Sequence, residues 1–397
     1  MNFVFVSPNF PRTYWHFCAE LKNNGVNVLG IGDSAYDQLE PELRAALTEY
    51  YKVDSMEDYS AMFRAVAYFS WKYGKIDWLE SNNEYWLETD ARLRSDFNIT
   101  TGVKAEDLSG WKHKSEMKKY YALGNIPTAR CHRVEGEADT RRFIRQVGYP
   151  VIVKPDVGVG AADTYKLEND EDLARFFAEK PDVPYVCEEF VTGDIYSYDA
   201  IVGPDSKPLF EASSVFPPSI MDIVLENSEL SYITLKNVPA QLRTLGRRML
   251  KAFGVKSRFI HAEFFRLTVA REGLGEVGDF VGLEVNMRPA GGYTPDMMNF
   301  AHSTDVYKFW ADMVTTGARQ LPKSGEDCFC VYSSRRDSRT YVHSHEEVMD
   351  KYREQIVMAE RMPDALANDM GNQMYTAKFA TMPEVKAFIR FVTERAE

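Results

Sequence analysis

Residues 149–162 read YPVIVKPDVGVGAA and decide how the rest of the chain is interpreted. The apolar run 151–153 predicts a strand that ends in Lys154 and leads directly into a loop of glycines and small residues. Glycine lets backbone N–H groups turn toward a phosphate, and the lysine places a positive charge beside it. The segment therefore indicates a phosphate-binding loop, although a plain tight turn has the same pattern. It lacks the Gly-Lys-Ser/Thr of a Walker A loop and the glycine spacing of a dinucleotide-binding loop.

Two further strand candidates carry acidic residues, Glu263 and Glu284, among apolar neighbours. On an extended strand, Glu284, Asn286 and Arg288 alternate by two and therefore share one face. Charged side chains on a buried face need partners, because an unpaired buried charge is costly. Carboxylate and amide oxygens suit Mg²⁺ bridging a polyphosphate. An ion pair between Glu284 and Arg288 at a sheet edge is the alternative interpretation.

The run YVCEEFVTGD at 185–194 predicts another strand, which delivers two acids and apolar residues into a glycine turn. Such a strand is able to present backbone groups to the edge of an adenine ring. A solvated strand edge is the alternative, because two adjacent acids are common at such edges.

The start of the chain has a β–α–β rhythm that predicts a parallel sheet. A strand at 3–6, a helix over about 12–24 and an apolar run at 26–31 follow one another. A short strand at 76–79 is followed by the polar loop ESNNE at 80–84. Ligands of open α/β sheets gather at the C-terminal ends of strands, so this loop is a candidate ligand-binding loop. A plain turn is the alternative, because most polar loops at such positions are only turns.

Composition excludes several classes of protein. The 397 residues exceed what one hydrophobic core usually supports, so two or three domains are expected. The balance of 47 basic and 59 acidic residues argues against non-specific binding to nucleic acid. No apolar run is long enough for a membrane helix, and no signal peptide is expected, because the first residues have neither a basic stretch nor a long apolar stretch. Five cysteines are too few for a disulfide framework and favour the cytoplasm.

Taken in order, these segments resemble the ATP-grasp superfamily. The helix that contains Lys114, followed by GNIPT at 124–128, is similar to the family's helix and strand that precede the phosphate loop. The resemblance covers about 110–315, and the β–α–β region is similar to the family's pre-ATP-grasp domain. It implies an α/β protein in which a Rossmann-like parallel-sheet domain precedes an ATP-grasp fold of two α+β subdomains. The expected units are 1–110, 111–320 with a lid-type part at about 125–192, and a C-terminal α+β unit at 321–397 that completes or flanks the core.

The resemblance implies a nucleotide site for ATP. By the match, Lys114 and Lys154 bind the ATP phosphates. The residues that match the flexible loop and the adenine-binding hinge are Gly158, Gly160, Ala161, Glu188, Glu189 and Val191. The family's ribose-binding acid falls at Ile195 here, so Asp194, one residue earlier, is expected to replace it.

The resemblance also implies a metal site and a catalytic arginine. Glu263, Glu284 and Asn286 match ligands of one or two Mg²⁺ ions, with Mn²⁺ as an alternative ion. Arg288 matches the arginine that stabilises an acyl-phosphate, and Lys154 is counted with it as catalytic.

The segment NMRPAGG at 286–292 looks most like the carboxylate–amine ligase branch of the family. The implied function is an ADP-forming ligase that activates a carboxylate as an acyl-phosphate and joins it to an amine, such as an amino acid. A bicarbonate-using carboxylase or carbamoyl-phosphate-type enzyme and a nucleotide-binding module without catalysis are the alternatives. The expected partners are small molecules, with no nucleic acid and no membrane, and a homodimer is compatible with the resemblance.

Overall fold

The structure is a computed structural model that describes residues 1–158, 163–216, 229–320 and 325–396. Within these residues the strands form three sheets. Two of the expected loop residues, Gly160 and Ala161, lie outside the described residues. None of the described helices combines the length and the apolarity needed to cross a membrane.

The first sheet is parallel and confirms the β–α–β prediction. Its strand order is β3-β2-β1-β4, and all its pairs run in the same direction. Phe3 and Phe5 pack on one face of the sheet, and Val4 and Val6 pack on the other. Both faces are buried, as parallel sheets require. Its strands and helices are β1 (Asn2–Val6), α1 (Trp15–Asn23), β2 (Asn27–Gly32), α2 (Pro41–Ala46), β3 (Glu49–Lys52), α3 (Tyr59–Tyr73), β4 (Trp78–Glu80) and α4 (Leu87–Asp96).

A small antiparallel sheet with the order β5-β8-β6-β7 follows two helices that lead out of the first domain. It has a hydrophobic core of its own, which includes Phe143, Leu173 and Phe176. The elements of this region are α5 (Ser109–Lys112), α6 (Lys114–Leu123), β5 (Cys131–Arg133), α7 (Glu137–Val147), β6 (Val151–Pro155), β7 (Tyr165–Leu167), α8 (Asp170–Glu179) and β8 (Tyr185–Glu189).

The largest sheet has nine strands among the described residues. Its order is β14-β13-β9-β11-β12-β15-β17-β16, and β10 pairs with β9. The C-terminal strands join it because β12 pairs with β15. The strands are β9 (Gly193–Val202), β10 (Pro208–Ala212), β11 (Ser214–Phe216), β12 (Ser231–Thr234), β13 (Arg258–Leu267), β14 (Phe280–Asn286), β15 (Phe329–Arg335), β16 (Ile356–Arg361) and β17 (Gln373–Phe379).

Among the described residues, six further helices pack against this sheet or connect its strands. In chain order they are α9 (Ala240–Ala252), α10 (Thr294–His302), α11 (Val306–Thr316), α12 (His345–Lys351), α13 (Asp364–Met370) and α14 (Met382–Thr393). Helix α11 also covers the first sheet, because Trp310 packs edge-on against Phe3 with ring centroids 5.6 Å apart.

A buried ion cluster joins the first sheet to the largest one. Glu80, the last residue of β4, accepts a hydrogen bond of 2.9 Å from Arg94 and another from Arg258, the first residue of β13. Arg258 also donates a bond of 2.8 Å to the carbonyl of Met287, just beyond the end of β14. One guanidinium therefore ties the C-terminal end of β4 to the C-terminal end of β14.

Candidate active site

Lys114 lies at the start of α6 with its ammonium directed at the largest sheet. The side chain is buried, and its Nζ lies 3.1 Å from Oε1 of Glu284 on β14. The same ammonium donates a hydrogen bond of 3.1 Å to the carbonyl oxygen of Gly158. Lys114 therefore connects the end of the described phosphate-loop segment to one of the two glutamates that the sequence singles out.

Asp156 explains why Lys114 points there. The backbone N–H of Lys114 donates to the carbonyl of Asp156 at 2.9 Å. The N–H and hydroxyl of Ser115 donate to the Asp156 carboxylate at 2.8 and 2.9 Å. A carboxylate at a helix N-terminus satisfies N–H groups that have no partner within the helix and is favoured by the helix dipole. The sequence interpretation missed Asp156, although it directly follows the Lys154-Pro155 pair.

Glu188 lies between two lysines. Its carboxylate oxygens are 2.8 Å from Nζ of Lys154 and 2.6 Å from Nζ of Lys118. Burial raises the pKa of Glu188, but the charges and hydrogen bonds of Lys118 and Lys154 outweigh burial and lower the pKa to about 2. Lys118 was missed as a site residue, although it follows Lys114 by four positions and so shares its face of α6.

A cleft of about 490 Å³ opens beside this lysine cluster. Its lining includes Ser115 and Lys118 from α6, together with Arg130 and Cys131. The cleft therefore lies between α6 and the small sheet, beside lysines that carry positive charge into it.

Glu263 and Glu284 are directly opposite each other on the adjacent antiparallel strands β13 and β14. The next pair on the same face is His261 opposite Asn286. Burial raises the pKa of Glu263, yet His261, Arg288 and Lys154 lower it further than burial raises it. The two glutamates and the asparagine thus form one patch of oxygen atoms facing Lys114 and Lys154.

These residues fit a divalent cation only if other groups complete its coordination. Among the described residues, no three His, Cys, Asp or Glu side chains are grouped so as to hold a metal. The patch has two carboxylates and one amide oxygen. That set suits Mg²⁺, which usually takes one or two carboxylates and fills its remaining positions with water and substrate phosphates.

His261 fixes the orientation of Glu263. Its Nδ1 lies 2.7 Å from Oδ1 of Asp199, and its Nε2 lies 3.3 Å from Oε1 of Glu263. Burial lowers the pKa of His261, but Asp199 and Glu263 raise it further, to about 9. The imidazole therefore links a buried aspartate on β9 to the glutamate on β13.

Arg288 differs from its expected place. Strand β14 ends at Asn286, so strand alternation does not extend to Arg288. Its guanidinium donates a hydrogen bond of 2.8 Å to the carbonyl of Pro289. Within the described residues no ion pair joins Arg288 to Glu284, which is paired with Lys114 instead. The positive charge of Arg288 acts to lower the pKa values of Tyr14 and Glu84. Burial raises both pKa values by more, so the net shift of each is upward.

The remaining predicted nucleotide residues have varied surroundings. Glu189 is buried, and its carboxylate accepts hydrogen bonds from Arg130 and Arg271, so that carboxylate is already neutralised. Val191 is packed in a small apolar cluster. Asp194 is exposed at the start of β9. A ligand beside Glu189 and Val191 would therefore bond to their backbone groups rather than to a charged side chain.

Comparison with known proteins identifies the fold of this chain. No protein-family model matches the chain. An L-arginine-specific L-amino acid ligase from Bacillus subtilis is 25% identical over 270 residues, which are 66% of this chain and 64% of that protein. This chain thus matches somewhat less than two thirds of the relative's length.

Solved structures match over nearly the whole chain. An L-amino acid ligase from Bacillus licheniformis superposes with a TM-score of 0.71 and 14% identity, covering 98% of this chain and 96% of that one. An N5-carboxyaminoimidazole synthetase from Staphylococcus aureus, solved with ADP, gives 0.67 and 12%, covering 99% and 97%. The chain has the ATP-grasp fold. The resemblance inferred from the motifs, and the fold class that it implied, are therefore confirmed.

In this fold, helix α6 with the small sheet and the largest sheet contribute opposite charges to one site. The helix α6 and the small sheet supply Lys114, Lys118 and Lys154, while the largest sheet supplies Glu263 and Glu284. Positive groups of the kind that binds phosphate therefore face carboxylates of the kind that binds a cation, a combination suited to a metal-bound polyphosphate.

Proposed function

We propose that this chain is an ATP-dependent, ADP-forming ligase that activates a carboxylate as an acyl-phosphate and joins it to an amine. One observation carries the proposal. Lys114 contacts Glu284 directly, and the charges of Glu284 and Lys154 act on each other across the space between the two sheets. The ligase names of the curated relative and of its solved neighbours support the same reading.

The lysines act first. Lys114 and Lys154 bind the phosphates of ATP, and Lys118 adds a further positive charge beside them. Bound phosphate replaces Glu284 as the partner of Lys114, which leaves Glu284 available for a cation beside Glu263. Glu263, Glu284 and Asn286 would hold Mg²⁺, which offsets negative charge on the transferring phosphoryl group.

Around the nucleotide, the proposed contacts are those that the resemblance implied. The backbone of Glu188, Glu189 and Val191 borders the adenine, Asp194 lies near the ribose, and Gly158 with Gly160 and Ala161 covers the phosphates. The pairing of Glu189 with Arg130 and Arg271 restricts its contribution to backbone groups. A covered site excludes water, which would otherwise hydrolyse an acyl-phosphate.

The reaction itself has two steps. An oxygen of the substrate carboxylate attacks the γ-phosphorus, ADP leaves, and a mixed anhydride of carboxylic and phosphoric acid forms. The nitrogen of the amine then attacks the carbonyl carbon, phosphate leaves with the bonding electron pair, and the nitrogen loses a proton. Arg288 holds the carboxylate and stabilises the oxyanion of the tetrahedral intermediate.

A release assay tests the proposal. Pairs of carboxylates and amines are incubated with Mg·ATP, and ADP and phosphate are measured, with bicarbonate as a separate arm. ADP release that requires both an acid and an amine is expected, and Glu284→Gln should abolish it because the substitution removes a cation ligand. Glu42→Gln, an exposed change on α2, is the matched control. AMP and pyrophosphate as products, or turnover that requires bicarbonate, would contradict the proposal.

A further inference from the structure

A cavity of about 240 Å³ lies outside the candidate active site. Its lining includes four consecutive residues of β10, 208–211, so the cavity follows an edge of that strand rather than one of its faces. Strand β10 pairs with β9, and β9 pairs along its other edge with β13, which carries Glu263. Strand β9 therefore separates this cavity from the carboxylates of the candidate active site. Three basic residues from separate segments of the chain also line the cavity, namely Lys236, Arg243 and Arg319.

The two acidic residues of the lining, Glu211 and Asp327, already have partners. Glu211 accepts a hydrogen bond of 2.8 Å from the hydroxyl of Tyr198. It accepts two more, of 2.9 and 2.5 Å, from the guanidinium of Arg247. Nδ1 of His302 lies 3.0 Å from Oδ1 of Asp327. The negative charges of the lining are therefore already engaged.

Lys236 and Arg243 have no comparable partners within the part of the chain that the structure describes. Nε of Arg243 is shielded from solvent and makes no hydrogen bond there. It lies 3.9 Å from Oε2 of Glu211, which is too far for a hydrogen bond. Lys236 lies with its Nζ 5.4 Å from the ring centroid of Phe329, and none of the described carboxylates pairs with it. A shielded N–H without an acceptor costs free energy, which a bound anion would recover.

Two further features add positive potential beside the cavity. The guanidinium of Arg319 lies 4.1 Å from the ring centroid of Phe309, and burial lowers the pKa of Arg319, so a nearby anion would favour its charged form. Helix α9 begins at Ala240, just after the lining residues 237 and 238, and its first turn has neither a capping side chain nor an acidic residue. The N–H groups of that turn therefore leave partial positive charge at this end of the helix.

We propose that this cavity is a second anion site, which binds the phosphate group of a small molecule through Lys236, Arg243 and Arg319. This inference goes beyond the ligase function, because the site requires no residue of the candidate active site. Phosphate carries about two negative charges at neutral pH and accepts hydrogen bonds in several directions, so it suits cations that approach from separate segments. The buried apolar residues Phe210 and Val238 of the lining are suited to a short carbon chain attached to the phosphate.

Titration calorimetry without nucleotide tests the site. Inorganic phosphate, glycerol 3-phosphate and succinate are titrated separately into the full-length protein, into the double variant Lys236→Gln/Arg243→Gln and into a control. The control is Lys386→Gln/Arg390→Gln, which makes the same charge change at two exposed positions of α14. We expect the double variant to bind the phosphate compounds roughly 10- to 100-fold more weakly than the wild-type protein, because charge-assisted hydrogen bonds are lost. The control should bind them as the wild-type protein does.

The three compounds separate the possible ligands. Tighter binding of glycerol 3-phosphate than of inorganic phosphate would identify a phosphate ester as the ligand, and the reverse order would identify free phosphate. Tighter binding of succinate than of either would overturn the assignment to phosphate. Phosphate binding that the double variant retains, or that the control weakens equally, would overturn the site, because the anion would then bind at the lysines of the candidate active site or by net charge alone.

Thermal unfolding separates binding from a structural role. Without ligand, the double variant should unfold at the wild-type temperature or above it, because the substitutions remove two cations that share one cavity without carboxylate partners. Phosphate should raise the unfolding temperature of the wild-type protein more than that of the variant. If the double variant does not fold, the single variant Lys236→Gln takes its place in both measurements. Failure of both variants to fold would show that these cations stabilise the fold itself and would overturn the inference.

The anion site and the ligase proposal fail separately. Phosphate binding is measured without ATP or turnover, so absence of ADP release with every pair of acid and amine would leave the anion site standing. Loss of the anion site would likewise leave the ADP-release assay unaffected.

Discussion

Replacing Glu188 with glutamine should destabilise the free protein and should do so far less when nucleotide is bound. The buried carboxylate contacts Lys118 and Lys154 at 2.6 and 2.8 Å, and the substitution would leave two ammonium groups without a negative partner. The fall in its pKa from 4.5 to about 2 corresponds to about 3 kcal/mol that favours the ionised carboxylate in the folded protein. Breaking one side of a buried pair commonly costs about 3–5 kcal/mol, in agreement with that figure.

Urea unfolding, followed by tryptophan fluorescence, measures the effect. We expect Glu188→Gln to lower the free energy of unfolding by about 3 kcal/mol without nucleotide. Saturating Mg·ATP should recover much of that loss, because phosphates supply the negative charge that the lysines lack. Lys118→Met combined with Glu188→Gln should be more stable than Glu188→Gln alone, since it removes one of the unpaired charges.

The pH dependence has a defined sign. The folded-state pKa of Glu188 lies below its unfolded value, so its contribution is complete above pH 4.5 and is lost as the pH falls toward about 2. The difference between the wild-type protein and Glu188→Gln should therefore be the same at pH 6 and pH 8. A difference below about 1 kcal/mol at both pH values, the range of an exposed pair, would refute the view that Glu188 holds the two lysines.

Two further predictions follow from neighbouring contacts. Lys114→Met, which removes the partner of Glu284, should lower ADP release by roughly 100-fold, whereas Lys386→Met on the exposed face of α14 should leave it unchanged. Equal rates for the two variants would argue against a phosphate contact at Lys114. Burial, with the charge of Glu80, raises the pKa of Asp90 to about 7. The folded protein therefore binds this proton more tightly than the unfolded chain does. The free energy of unfolding falls as the pH rises from 3.8 through about 7. Asp90→Asn should therefore gain roughly 2–4 kcal/mol over the wild-type protein between pH 5 and pH 8 in urea unfolding, and a constant difference would show that Asp90 stays ionised.

Local pattern was sufficient for the fold class and for the strands on which several of the candidate site residues lie. The apolar run before Lys154 and the acids at Glu263 and Glu284 stand on strands, and strand periodicity is a short-range property. The order of these segments along the chain then indicated the architecture that the solved neighbours share.

Alternation failed at Arg288 for a physical reason. The pattern continued beyond Asn286, but the strand ends there because the register with β13 ends with the pair of His261 and Asn286. A sequence pattern does not show where strand pairing stops. Glu189 gives a second example, since its use by Arg130 and Arg271 depends on residues 59 and 82 positions away.

By itself, then, the sequence determined which segments become strands and which residue types end them, because both depend on neighbours a few positions apart. Only the tertiary structure decided which charges meet. Glu188 pairs with Lys118, Glu284 pairs with Lys114, and the loop of Glu84 faces the end of β14 through Arg258. Charged side chains interact over a few ångströms in space whatever their separation along the chain, so their partners and their pKa values follow from packing.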